Sequence, residues 1–286
     1  MIRSPRQRET SQASLTGHAP VSHGQVPVVL SIAGSDNSGG AGIQADLKTF
    51  TTLGVYGTTA VTCVVAEHPG RVLNITPVPP ERVGDQIRLV LEAFPVAAIK
   101  TGLLYSAEII AAVLEAIAPA LQQRVPLVVD PVMVASTGRV LLQEDAIEAL
   151  RQLIASATVV TPNRDEAALL WGQPIENPET LTEAALQLSR HFKHPHILAK
   201  GGHLKTGQAV DILVSPEGYV RHFEARRIPD IDPHGTGCTY SAAITAGLAK
   251  ELTVLESVDL GKWFINRALR RRFAVGPYQL LNHLPD

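Results

Sequence analysis

From residue 26 onward the chain alternates short apolar runs with longer stretches whose apolar positions recur every three to four residues. Residues 26–33 form an apolar, β-branched run that opens onto a glycine-rich segment, which predicts a buried strand. Residues 41–53 carry Ile43, Leu47 and Phe50 at helical spacing and stop at Gly54. The same reading predicts further strands at 56–66, 97–100, 126–130, 158–161, 196–199, 210–214 and 219–224. Helices are predicted at 80–94, 106–121, 145–155, 163–170, 181–192, 236–248 and 254–273, with Ser106 as an N-cap. Buried strands alternating with helices predict an α/β fold, a mostly parallel sheet with helices on both faces. No repeat, linker or composition break interrupts residues 26–286, which read as one domain.

Residues 1–25 differ. They hold Arg3, Arg6, Arg8 and four serines, one acidic residue and no apolar stretch, so they are not a secretory signal. They read as a disordered tail, with organelle targeting as the other reading of an Arg- and Ser-rich, acid-poor segment. Composition narrows the function classes. A net charge of −2 offers no electrostatic footprint for nucleic acid or an anionic membrane. Two cysteines, Cys63 and Cys238, cannot build a disulfide framework or a four-thiolate zinc site. No apolar run approaches the roughly 20 residues of a membrane helix. A cytoplasmic location is the expectation.

Ligand sites in open α/β sheets form at the carboxyl ends of the strands, and two glycine-rich segments fall there. Gly34, Gly39, Gly40 and Gly42 follow the first strand. Gly40-Ala41-Gly42-Ile43-Gln44-Ala45 fits a dinucleotide fingerprint, but residues 35–39 lengthen the turn and no acidic residue ends the next strand at the expected distance. The second segment, His234-Gly235-Thr236-Gly237-Cys238-Thr239, opens a small-residue helix. Backbone N–H groups there would form an anion site reinforced by the helix dipole. No Walker motif is present, since Gly261-Lys262 precedes Trp263. Cys238, at a helix start, is expected to have a lowered pKa.

Five segments in order carry a resemblance: Ala33-Gly34-Ser35-Asp36 with residues 38–50; Val129-Asp130-Pro131-Val132-Met133; Thr161-Pro162-Asn163 with Glu166-Ala167; Lys200-Gly201-Gly202-His203; and His234 to Thr239. On these the chain resembles the hydroxymethylpyrimidine/phosphomethylpyrimidine kinase family of the ribokinase-like superfamily. The resemblance implies a three-layer sandwich, ATP and Mg²⁺ as cofactors, a small pyrimidine alcohol as substrate, a role in thiamine biosynthesis and a homodimer. It implies that Gly235, Thr236 and Gly237 form the anion hole and that Cys238 takes the proton of the substrate hydroxymethyl group. Asn163 and Glu166 would organise Mg²⁺ through water, and Lys200 and Asp232 would face ATP. Gly34, Asp46, Glu67, Gly102, Leu103 and Val132 would line the pyrimidine pocket. Without the resemblance, Asn163 reads as a helix cap after Pro162 and Lys200 as a solvated strand end.

The chain departs from its family in places. Glu67-His68-Pro69 stands where Gln-Asn-Thr is usual. An amide both donates to and accepts from an aminopyrimidine, whereas a carboxylate only accepts. Leu103 replaces a methionine, Ser136 stands where members of the family often have a lysine, with nearby Arg139 expected to compensate, and Asp232-Pro233 replaces an Asn-Thr pair. Two other readings stand beside the pyrimidine kinase: a kinase of another heterocyclic alcohol such as pyridoxal, and a non-catalytic pyrimidine sensor.

Overall fold

The computed structural model describes residues 25–134, 138–202, 204, 208–228 and 234–285. The elements run β1 (Val28–Asp36), α1 (Gly42–Thr52), β2 (Tyr56–His68), β3 (Arg71–Pro77), α2 (Pro80–Ala93), β4 (Val96–Thr101), α3 (Ala107–Gln122), β5 (Leu127–Val129), α4 (Ile147–Ala155) and β6 (Val159–Val160). They continue with α5 (Arg164–Trp171), α6 (Pro178–Phe192), β7 (His196–Ala199), β8 (Gln208–Val214), β9 (Val220–Arg226), α7 (Thr236–Ala249), α8 (Val254–Arg270), β10 (Phe273–Val275) and β11 (Tyr278–Leu280).

Nine strands form one sheet in the order β3-β2-β1-β4-β5-β6-β7-β8-β9. The run from β2 to β7 is parallel; β3, β8 and β9 pair antiparallel. Strand periodicity splits the core in two. Val28, Leu30 and Ile32 join the face covered by α2 to α6, and Val29 joins the opposite face with Phe50 and the buried stripes of α7 and α8. This is the expected three-layer sandwich. No helix among the described residues is long and apolar enough to cross a membrane.

The strand order reverses between β1 and β4: the chain first builds outward through β2 and β3, then returns to the other side of β1. A crevice opens at such a switch point. Here Gly102 N–H donates to Ile32 O (2.9 Å), and a Cβ on Gly102 would lie 3.0 Å from that of Ala33. Helix α7 is buried from Thr239 to Ala249 and is built from small residues, so it lies close to α8 while its N-terminus reaches the crevice end of the sheet.

Two elements escape the hydrophobic pattern. Strand β3 has no buried residue, so no alternation marks it; only Pro69-Gly70 signals its hairpin turn. The helix expected to run to residue 273 stops at Arg270, and residues 273–280 instead form the β10–β11 hairpin around Gly276. Expected helix 181–192 begins earlier, at Pro178, behind an Asn177 capping box. The tail, residues 1–24, lies outside the described residues.

Candidate active site

The two glycine segments interlock at the crevice. Asp36, the last residue of β1, folds the first loop around itself. Its Oδ1 accepts from the Ser38 N–H (2.7 Å), and its Oδ2 from the Gly40 and Ala41 N–H groups (3.0 and 2.8 Å) and the Ser38 hydroxyl (2.9 Å). His234 Nε2 stands 2.9 Å from the same oxygen and so ties the second loop to the first. Burial opposes the Asp36 charge, but the bonds from His234, Ser38 and Ala41 outweigh it and hold the carboxyl far below the usual range. Gly235 has φ +77°, and a Cβ there would meet Gly40 O at 1.8 Å. Only glycine allows this backbone contact.

Gly235 caps α7 without a side-chain hydrogen bond, so the first-turn N–H groups of Thr236, Gly237 and Cys238 have no capping side chain from that residue. Directly beside this turn lies a charged network drawn from three successive strand ends. A Cβ on Gly237 would be 3.2 Å from Lys200 Nζ and 3.6 Å from Asp130 Oδ2. Lys200 Nζ donates to Asp130 Oδ1 (3.0 Å), which also accepts from Thr161 Oγ1 (3.1 Å); Asp130 Oδ2 accepts from Ser241 Oγ (3.1 Å). Burial favours neutral forms for both ions. It is outweighed by the attraction of Lys200 and Lys100 for Asp130, and of Asp130 and Glu166 for Lys200, which keep the carboxyl low and the ammonium high. Lys200 is thus a part-buried, ion-paired cation beside the first turn of α7, not a solvated strand end.

Asn163 and Glu166 form a complete capping box at the start of α5. Asn163 Oδ1 accepts from the Asp165 and Glu166 N–H groups (2.9 and 3.0 Å), and Glu166 Oε2 accepts from the Asn163 N–H (2.8 Å). Burial pushes Glu166 up to about 8, with Lys200 opposing and Asp130 adding to the rise. Structural cap and proximity to Lys200 therefore coexist at this pair.

Cys238 differs from expectation. Burial pushes its thiol up to about 12 instead of down; Asp46 and Asp130 add to the rise, and Lys100 and the Gly42 N–H oppose it without prevailing. A helix N-terminus lowers a thiol pKa only where burial and nearby carboxylates do not win.

The pocket wall is a small apolar cluster of Cys63, Val65 and Leu103, with Val72, Ile75, Val132 and Leu141 packed against it. A Cβ on Gly34 would press to 2.9 Å from Cys63 Sγ and 3.4 Å from Leu103. The structure thus brings Gly34, Leu103 and Val132 together beside the crevice. Glu67 lies half-buried at its rim, and its carboxylate shares a 4.8 Å neighbourhood with Asp36 and His234. Burial raises its pKa, Asp36 adds to the rise and His234 opposes it. These three are the one group of three metal-capable side chains among the described residues, but the Asp36 oxygens are already engaged by four donors of their own loop.

Asp46 has no exposed surface; both its oxygens accept from Lys100 Nζ at 2.8 Å, and Oδ2 also accepts from Ser31 Oγ (2.6 Å). It therefore stands behind the crevice wall and meets the site through Lys100, whose Nζ would lie 3.4 Å from a Cβ on Gly102. Arg139 is committed elsewhere, donating to the carbonyls of Val72 and Leu73 (2.7 and 3.1 Å), so it does not replace the family lysine. Asp232, Ser136 and His203 lie outside the described residues. Sequence reasoning gave no role to Lys100, Asp130 or His234. The signal for Lys100 was a charge inside the apolar run Ala97-Ala98-Ile99-Lys100-Thr101.

The sequence model of the phosphomethylpyrimidine kinase family matches residues 36–282. The hydroxymethylpyrimidine/phosphomethylpyrimidine kinase of Rhizobium meliloti is 43% identical over 244 residues, covering 85% of this chain and 90% of that protein. Among solved structures, the ADP complex of Bacillus subtilis pyridoxal kinase superposes with a TM-score of 0.83 at 36% identity, covering 91% of this chain and 98% of the other. Phosphomethylpyrimidine kinase from Clostridium difficile superposes with a TM-score of 0.72 at 36% identity, covering 85% of this chain and 99% of the other. The fold is ribokinase-like. The family match takes in both glycine loops and the strand ends that carry Lys100, Asp130 and Lys200, and by that span the chain is a kinase belonging to the phosphomethylpyrimidine kinase family.

Proposed function

We propose that this kinase phosphorylates 4-amino-5-hydroxymethyl-2-methylpyrimidine, its monophosphate, or both, with ATP as donor, in thiamine biosynthesis. The observation that carries the reading is the glycine-opened start of α7 set against the Lys200 ammonium, at the crevice that the apolar cluster of Cys63, Val65 and Leu103 borders. The N–H groups of Gly235, Thr236 and Gly237 receive the transferring phosphoryl, and Lys200 neutralises its charge. Phosphoryl transfer needs chiefly positioning and charge stabilisation, and these groups supply both. Gly34, Leu103 and Val132 hold the ring, with Glu67 at its polar edge. Gly102 keeps the crevice floor open beside Lys100, while Asp46 supports it from behind.

Cys238 accepts the hydroxymethyl proton. Because the thiol holds its proton at neutral pH, the thiolate that does this work is a minority form, and turnover should rise with pH through the neutral range. Asp232 is the rival acceptor. The donor set near Lys200 fits Mg²⁺: Glu166 is a buried oxygen ligand, and no three-ligand cage forms around it among the described residues, as suits a hard cation held largely by water and phosphate. When bound, Mg²⁺ would neutralise the ATP phosphates, with Glu166 ordering its waters and Asn163 holding the Glu166 turn in place through the capping box.

A second reading, a pyridoxal-type alcohol as acceptor, draws on the closeness of the Bacillus subtilis pyridoxal kinase structure. Purified protein offered ATP with the pyrimidine alcohol, its monophosphate and pyridoxal in parallel tests both, with products identified by mass. The pyrimidine substrates should give the higher kcat/KM. Preferential turnover of pyridoxal, or no turnover of any of the three, would overturn the proposal.

A further inference from the structure

Among the described residues, Lys100 and Asp46 are the only charged side chains with no exposed surface. Removing two charges from water is costly, and an apolar pair of similar size often serves stability as well. Stability alone therefore does not explain the pair. Its position does. Lys100 is the penultimate residue of β4, at the switch point beside Gly102. Asp46 lies on α1, whose first residue, Gly42, directs its N–H at the Cys238 sulfur. Ser31 donates to Asp46 from β1 and fixes its carboxylate against the ammonium.

We propose that Lys100 and Asp46 are a positioning pair for catalysis, in which Asp46 anchors the Lys100 ammonium where its charge supports the anionic form of Cys238 during proton transfer. The proposal rests on Cys238 as the proton acceptor. Helix α7, with Cys238 in its first turn, packs against both α1 and β4, the elements that carry the pair, and Asp130 and Lys200 lie against the neighbouring Gly237. The charged groups that act on the thiol are accordingly Lys100 from β4, Asp46 from α1, Asp130 after β5 and, more weakly, Lys200 after β7. Burial, with two carboxylates against one principal cation, leaves the thiol protonated at rest. The pair is thus balanced so that a small change at either member moves Cys238 in opposite directions.

That opposition is the test. The full chain is alkylated with iodoacetamide at about pH 8, and modification is followed on the Cys238 peptide by mass spectrometry. Each unit of thiol pKa changes the thiolate fraction tenfold, and the accompanying change in nucleophilicity takes back about half of that on a logarithmic scale. Lys100→Met should slow alkylation at least about threefold and Asp46→Asn should speed it by a similar factor. The double replacement should return towards wild type. In turnover, Lys100→Met should lower kcat with little change in the KM for ATP. A merely structural pair would shift both single variants the same way, through loosening, and that result overturns the proposal, as does an unchanged rate in both. If Lys100→Met fails to fold, wild type, Asp46→Asn and the double replacement decide alone: Asp46→Asn must be the fastest of the three. Opposite shifts together with wild-type turnover in Cys238→Ala would instead overturn Cys238 as proton acceptor and leave the coupling of pair and thiol standing.

Discussion

Two lysine–aspartate pairs occupy neighbouring positions at the crevice, and they are built differently. Lys100 and Asp46 satisfy each other: both carboxylate oxygens take the one ammonium, and no surface of either is open. Lys200 and Asp130 share. Asp130 spreads its oxygens over Lys200, Thr161 and Ser241, and Lys200 keeps 12% of its side chain exposed beneath the α7 turn. An ammonium held by one carboxylate oxygen has hydrogen-bonding capacity left for an incoming phosphoryl group. One with no surface open to an incoming group acts on it only through its field. The same two residue types thus give one cation for contact and one for electrostatics, and the difference lies in how many other donors the aspartate has.

The largest effect expected from this contrast is on the two lysines. Lys100→Met leaves Asp46 buried with Ser31 as its remaining donor among the described residues, and loss of one partner from a buried pair typically costs about 3–5 kcal/mol of stability. A domain in the middle of the ordinary range, about 10 kcal/mol, stays folded after that loss, and one at its lower end does not. Lys200→Met leaves Asp130 with two hydroxyl donors, so its stability loss should be smaller, while kcat falls by about 10²–10³, the scale of one lost transition-state donor. Urea unfolding and steady-state kinetics on both variants check this. If Lys200→Met were the more destabilised and the more active of the two, the division of labour would be gone.

How far this could be read from sequence differs between the layers of the molecule. The strands from β4 to β7 and the helices between them were legible because burial on both faces leaves runs such as Leu127-Val128-Val129 with no polar interruption. Strand β3 was not legible, since its pattern is set by pairing with β2 and not by burial. At the site, Gly235, Lys200 and Asn163 were found through motif resemblance, and the apolar wall of Leu103 and Val132 likewise. Lys100 was not, because its partner Asp46 is 54 residues away and only the closure of α1 over β4 brings them together. The expectation for the Cys238 thiol failed for the same reason. The helix N-terminus is local and visible in sequence, whereas the burial that dominates the thiol, and the carboxylates of Asp46 and Asp130 that add to it, come from other elements.

At the ring end of the crevice the ionisable group is a carboxyl, Glu67, with Asp36 and His234 beside it and, among the described residues, no lysine partner of the kind the two pairs have. Burial and Asp36 raise the Glu67 pKa, so the acid persists to higher pH than an exposed glutamate would. The acid can donate one hydrogen bond and accept another, as an amide does; the carboxylate only accepts. As pH rises through that raised pKa the donor is lost, and pyrimidine binding should weaken. Ionised Glu67 paired with a protonated ring gives the same sign, because the ring loses its proton as pH rises. Glu67→Gln should flatten the dependence and tighten binding at high pH by about 1–3 kcal/mol, the cost of a group left unpaired in a pocket. Dissociation constants across pH for both proteins measure it, and parallel curves would place the ring contact on another residue.

The smallest effect separates two roles that coincide at the start of α5. As a cap, Asn163 satisfies two N–H groups of the first turn, and Asn163→Ala should cost about 0.5–2 kcal/mol of stability. As an organiser of Mg²⁺, it would instead shift the Mg²⁺ concentration needed for half-maximal rate. Its Oδ1 is fully used by the cap, which leaves the amide nitrogen as the group turned to other work, and a nitrogen donor orders water without binding the cation. The melting temperature of Asn163→Ala should therefore fall while its Mg²⁺ requirement changes little. Glu166 carries oxygen ligands, and Glu166→Gln should raise the Mg²⁺ requirement clearly. Thermal melts beside Mg²⁺ titrations of turnover distinguish the two residues. An unchanged Mg²⁺ requirement in both variants would move the metal site off α5 and leave the contrast between contact cation and field cation as the whole electrostatic design of the crevice.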